Sequence, residues 1–166
     1  MCDEVSGFGV GKHNGSVHLA RMANESASPW NYTVAYRDPL RTLNTHLASG
    51  ETVITDAPVD NHGLGQAFSP TDLLSTSLAA CVLTILGIHS QGKAYSIQSM
   101  EAHVGKTMAA SPRRVAAIAV AFHIVVSGEA SDRELAVLER AGRSCPVAKS
   151  LHPDVEQRLT FSFKRA

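Results

Sequence analysis

Three cysteines in 166 residues, none of them in a C-x-x-C pair, are too few to staple a secreted disulfide scaffold. The apolar run at residues 73–88 is shorter than a bilayer span requires, so no membrane partner is expected. Charge of one sign is also missing. Fifteen basic side chains balance fifteen acidic ones, and no nucleic-acid partner is expected. Eight histidines are scattered with no H-x-x-x-H and no cysteine at ligand spacing, so no metal is expected. Gly7-Phe8-Gly9-Val10-Gly11 and Gly63-Leu64-Gly65 lack the strand and the Lys-Ser/Thr of a phosphate loop, and the second reads as a flexible connection. The opening residues are polar and glycine-rich, without a basic region followed by an apolar one, which makes the cytoplasm the expected compartment.

Hydrophobic residues make up 44 %, enough for a real core. The division expected is an extension over 1–28, with a short strand at 17–22, and a single domain over 29–166. The domain is organised around 69–91. Ser69 is a good N-cap, Pro70 suits the first helical position, and Asp72 stands where a carboxylate reaches back to the cap. Residues 73–88 read as a helix buried on all sides, with Thr76, Ala80, Thr84 and Gly87 as a small-residue stripe that admits a second backbone.

Before this helix, Tyr32, Val34 and Tyr36 alternate with polar neighbours, and short links join further strands at 41–47 and 52–55. Such links allow only an antiparallel meander. After it, 95–108 and 115–126 read as a hairpin that brings His103 near His123. A Ser131…Glu134 capping box opens a helix to about Gly142, a short helix covers 147–151, and a strand runs over 155–163. The fold class is therefore α+β with segregated sheets.

Cys81 lies in the middle of the organising helix and Cys145 just before Pro146, at the mouth of a second one. Backbone N–H groups at a helix start favour a thiolate, so Cys145 is expected to be helped toward ionisation, with Arg143 and Lys149 adding positive charge. Cys81 gets no such help from its own helix. Free cysteines are also common packing residues, so the alternative that both merely fill the core stays open.

Ser69-Pro70-Thr71-Asp72-Leu73-Leu74, then Leu78-Ala79-Ala80-Cys81, then Gly142 to Val147 with Cys145-Pro146 inside it, resemble the OsmC/Ohr family of thiol peroxidases. The element order over 30–163 is similar too. The resemblance implies an intertwined homodimer in which antiparallel sheets wrap two long central helices. It implies a cytoplasmic enzyme that reduces organic hydroperoxides, with hydrogen peroxide a further substrate. Cys81 would match the peroxidatic cysteine and Cys145 the resolving one. A dithiol, in the family often a lipoyl group on a protein, would reduce the disulfide, and no metal or organic cofactor would be needed. An arginine from the N-terminal strands would pair with the thiolate, which points to Arg37 or else Arg41, and an acid on the central helix would orient it. The family's glutamate position is Thr71 here, which leaves Asp72 as the nearest carboxylate. That departure keeps a second reading open, a catalytically weak dimer of the same fold holding a small apolar or thiol ligand in the groove between subunits.

Overall fold

Two capping boxes frame the helices. Ser69 Oγ accepts the Asp72 N–H at 3.2 Å while Asp72 Oδ2 accepts the Ser69 N–H at 2.7 Å, starting α1 (Pro70–Ser90). Ser131 and Glu134 repeat the exchange at the start of α2 (Asp132–Arg143). The computed structural model describes residues 29–166, so the expected extension, its strand at 17–22 and Cys2 lie outside the described residues. A compact unit runs over Tyr32–Ala166.

Strands β1 (Tyr32–Arg37), β2 (Arg41–His46) and β3 (Thr52–Asp56) pair antiparallel in that order, as the short links dictate. A second sheet joins β4 (Tyr95–Ala110), β5 (Arg113–Gly128) and β6 (Glu156–Arg165). β4 and β5 form the expected hairpin. β6 runs parallel to β5, because α2 and the short α3 (Pro146–Ser150) lie between them and give the chain length to cross back.

The core sits between this second sheet and the helices. β5 is its central strand and turns Ile118, Val120, Phe122, Ile124 and Val126 inward at every second position. They meet Leu78, Val82 and Leu86 of α1, Leu135 and Leu138 of α2, and Leu159 of β6, with the rings of Phe122 and Phe161 stacked at 4.7 Å.

Three expectations change here. α1 is not buried on all sides: Leu74, Ala80, Thr84 and Ile88 are exposed, because this sheet, α2 and α3 cover one side of the helix only. With its capped ends α1 has 21 residues and is long and apolar enough to cross a bilayer, which the uncharged run of 73–88 had excluded. Its packing on β4, α2 and α3 instead makes it a core helix of this unit. The Gly63–Gly65 segment is tightly packed rather than loose. A Cβ on Gly63 would stand 1.7 Å from the Ala57 carbonyl oxygen, and Gly65 has φ +64°.

Candidate active site

Gly142 brings the two cysteines together. It ends α2 against α1, where an added Cβ would lie 3.0 Å from Val82 and 3.4 Å from Leu86. With no side chain there, the end of α2 settles beside the residue that follows Cys81, and three positions later Cys145 caps α3. Cys81 packs against the buried cluster that holds Cys145, and the two sulfurs are close enough for one to affect the ionisation of the other. Cys145 is 0 % exposed, and its Sγ accepts the Ala148 N–H at 3.4 Å. Cys81 is half-buried at the edge of the open Ala80–Thr84–Ile88 stripe.

The ionisation expected for Cys145 is reversed. Burial pushes its thiol up, Ala148 and Val147 N–H groups pull the other way, and the neighbouring Cys81 sulfur adds to the rise. α3 spans only five residues, so its end cannot outweigh desolvation. Nor do the nearby cations help. Arg143 is bound to Glu139 at 2.7 Å and to the Leu159 carbonyl at 2.9 Å, with its guanidinium over the Phe161 ring, and Lys149 is exposed.

The two arginines, cross-strand neighbours at the β1–β2 turn, have different fates. Arg41 bonds Asp56 Oδ2 at 3.2 Å and also donates to Gln66 Oε1. The Asp56 carboxylate is fully buried and accepts the Gln66 N–H at 2.9 Å as well as that of Leu64. The Gln66 bond holds it below the ordinary carboxylate range against the opposing effect of burial, with Arg41 assisting. Arg37 is exposed and has no hydrogen bond or ion pair among the described residues.

Asp72 serves the cap and one further partner, Lys106. The Lys106 ammonium donates to Asp72 Oδ1 at 2.5 Å, Thr71 Oγ1 at 2.8 Å and Ser69 Oγ at 3.1 Å, which uses all three of its protons. Burial works against ionising Asp72. Lys106 and both Ser69 donors outweigh it and hold the carboxyl below its ordinary range. Nine residues of helix put Asp72 about 13 Å along the axis from Cys81. Among the described residues no hydrogen bond joins Asp72, Arg37 or Arg41 to either sulfur; of the expected site residues, Cys81 and Cys145 are neighbours in the packed cluster.

Sequence reasoning missed Lys106 and Asp56. A signal existed for Lys106: it occupies an inward register position of β4, between Val104 and Met108. Asp56 carries no such mark. His103 and His123 are neighbours as expected, with ring centroids 5.5 Å apart on the exposed face of the hairpin.

No curated protein matches this chain. A solved structure from Psychrobacter arcticus 273-4, of a protein named for osmotic stress induction and detoxification response, is 45 % identical. It covers 80 % of this chain and 96 % of that one, with a TM-score of 0.70. An OsmC like protein from Mycoplasma pneumoniae shares the fold at 14 % identity, with 82 % and 98 % covered and a TM-score of 0.64. The organic hydroperoxide resistance protein OsmC of Legionella pneumophila shares it at 14 % identity, with 81 % and 98 % covered and a TM-score of 0.56. The model of the OsmC-like protein family matches residues 63–159, more than half of the sequence and the part that holds both sulfurs, and the chain belongs to the OsmC/Ohr family.

Proposed function

We propose that this chain is a thiol-dependent peroxidase that reduces organic hydroperoxides, with Cys81 peroxidatic and Cys145 resolving. The observation that carries this reading is that a half-buried and a buried thiol, 64 positions apart in sequence, are neighbours in one packed cluster. The Cys81 thiolate attacks the terminal peroxide oxygen, the O–O bond breaks, and the alcohol leaves after taking a proton. Cys145 sulfur then attacks the sulfenic sulfur while its proton goes to the departing oxygen, giving water and a disulfide. A dithiol restores both thiols. The expected result is that Cys81→Ser abolishes consumption of cumene hydroperoxide, while Cys145→Ser leaves a sulfenic acid that dimedone traps. Full turnover by Cys81→Ser overturns the proposal.

The functional unit we propose is a homodimer. Tyr32, Val34 and Tyr36 are 66, 64 and 63 % exposed along one face of β1, and the Ala80–Thr84–Ile88 stripe of α1 is open beside Cys81. A second copy covering both would bring a cation, since among the described residues no Lys or Arg is hydrogen-bonded to either sulfur. Arg37 is the candidate, since Arg41 is committed to Asp56. Its guanidinium would favour the thiolate and balance charge on the leaving oxygen.

Thr71 favours one competing reading, a dimer of the same fold that holds an apolar or thiol ligand without turnover. The family's carboxylate is missing there, and Lys106 occupies the Thr71 hydroxyl instead. Stoichiometric hydroperoxide separates the two: rapid sulfenylation of Cys81 favours the enzyme, and an inert thiol in large excess favours the binding module.

A further inference from the structure

We infer that the Cys81–Cys145 disulfide opens from one side only, with the reducing thiol attacking Cys81 Sγ and Cys145 as the leaving sulfur. The inference rests on the proposed cycle and assigns the direction of its last step.

Thiol–disulfide exchange is an in-line displacement: the incoming sulfur, the attacked sulfur and the leaving sulfur line up. The side from which each sulfur is reached therefore decides which is attacked. Cys145 belongs to the buried cluster with Ala148 and Leu138 and has no accessible surface. The segment that carries it is tied to β6, where Gln157 Nε2 donates to the Ala148 carbonyl at 2.9 Å. An attack on Cys145 would require this segment to leave the core. Cys81 is half-buried at the edge of the α1 stripe, outside that fully buried cluster, and the opening that admits a hydroperoxide to it in the proposed dimer admits a small thiol with the fold intact.

Access, and not leaving ability, sets the direction: burial raises the Cys145 thiol and makes it the slower leaving group, an effect the Ala148 N–H only partly offsets. As the S–S bond breaks, the electron pair stays on Cys145 Sγ, which already accepts the Ala148 N–H. Burial then favours uptake of a proton, so Cys145 ends as a neutral thiol. A neutral thiol is a poor nucleophile, which keeps it from recapturing the mixed disulfide on Cys81. The second thiol of a dithiol attacks its own mixed sulfur and releases Cys81. The reductant loses two electrons and two protons and becomes a cyclic disulfide; Cys81 and Cys145 gain them.

The test uses the full chain oxidised with diamide, so that its outcome does not depend on peroxide being the substrate. Limiting glutathione is added, exchange is stopped with acid, free thiols are alkylated with N-ethylmaleimide, and the peptides are mapped by mass spectrometry. The expected result is glutathione on Cys81 and N-ethylmaleimide on Cys145, in at least about tenfold excess over the reverse. Glutathione on Cys145, an even split, no opening by excess glutathione, or no disulfide after diamide overturns the inference. A second measurement compares Cys145→Ser with Cys81→Ser, each combined with Cys2→Ser. In the first, Cys81 should react with Ellman's reagent in the native state. In the second, Cys145 should stay silent until denaturant is added, and equal native rates overturn the inference. If hydroperoxide leaves both thiols reduced while diamide still joins them, the peroxidase reading fails and the direction of opening stands.

Discussion

The second sheet turns five large aliphatic and aromatic side chains of β5 onto α1 and α2, whereas the first sheet leaves the tyrosines and valine of β1 about two-thirds exposed. Both are three-stranded, and both alternate with period two. What separates them is cover. The connection between β5 and β6 carries two helices that close one face, while the β1–β2 and β2–β3 links are only long enough to turn. An alternating strand pattern thus marks a face as apolar without stating what, if anything, covers it.

The largest expected effect comes from breaking that contrast. Val34→Asp puts a charge on the open face of β1, where a single chain would tolerate it as an ordinary surface change. If a second copy covers that face, light scattering after gel filtration should show a monomer. Hydroperoxide turnover should then fall by about 100-fold or more, the size of a lost charge-stabilising group. Ala119→Asp, on the exposed face of β5, should change neither. A Val34→Asp protein that remains dimeric and active breaks the comparison.

The β1–β2 turn carries a sharper version of the same contrast. Arg41 is held inside the chain by a buried carboxylate, and Arg37, directly across the ladder, is not. Arg37→Ala is expected to lower turnover by roughly 100-fold with an unchanged melting temperature. Arg41→Ala should lower the melting temperature, since it removes the cation from the buried Asp56, and affect turnover less. Kinetics and calorimetry on the two variants check the split, and a reversed pattern would reassign the role to Arg41.

How much of this could be read from residues alone follows the same line. The ends of α1 and α2, the hairpin of β4 and β5, and the meander were legible because caps, turn residues and period-two patterns are local. The pairing of Cys81 with Cys145 was legible only through the family resemblance, since no spacing rule joins residues so far apart. The protonation of Cys145 was misread: the helix start is visible in sequence and the burial that outweighs it is not. The tight packing of Gly63 against Ala57 was invisible for the same reason. Lys106 was overlooked because a charged residue on a strand is usually solvated, whereas here the α1 cap turns it inward.

Gly142 probes the closed region itself. An alanine there meets Val82, Phe161 and Leu86 at 3.0 to 3.4 Å, so α2 must shift away from α1. Gly142→Ala is expected to cost about 1 kcal/mol, a few degrees in melting temperature, partly offset by the better helix propensity of alanine. Because Cys145 follows three residues later, the same shift should slow disulfide formation after diamide. A variant that melts lower yet cross-links at the wild-type rate would show that α3 is positioned independently of α2.

The smallest expected effect is the acid limb of the stability curve. Asp72 has a folded-state pKa below its ordinary value of 3.8, so it binds its proton more weakly when folded than when unfolded. Its contribution is therefore fully present above that ordinary value and disappears as pH falls through the lower folded one. Asp72→Asn should be less stable than the parent at neutral pH by an amount that stays level down to about pH 5 and shrinks below about pH 4. More than a third of the Asp72 side chain is exposed, so solvent screening keeps the difference small. Lys106→Met should show the same acid dependence, because the pair is one unit, whereas an uncharged substitution on the open face of β1, Val34→Thr, should show none. Thermal melts at pH 7, 5 and 3 compare the three. A gap between Asp72→Asn and the parent that widens toward pH 3 would mean that Lys106 and the Ser69 donors do not hold the carboxylate in its charged form.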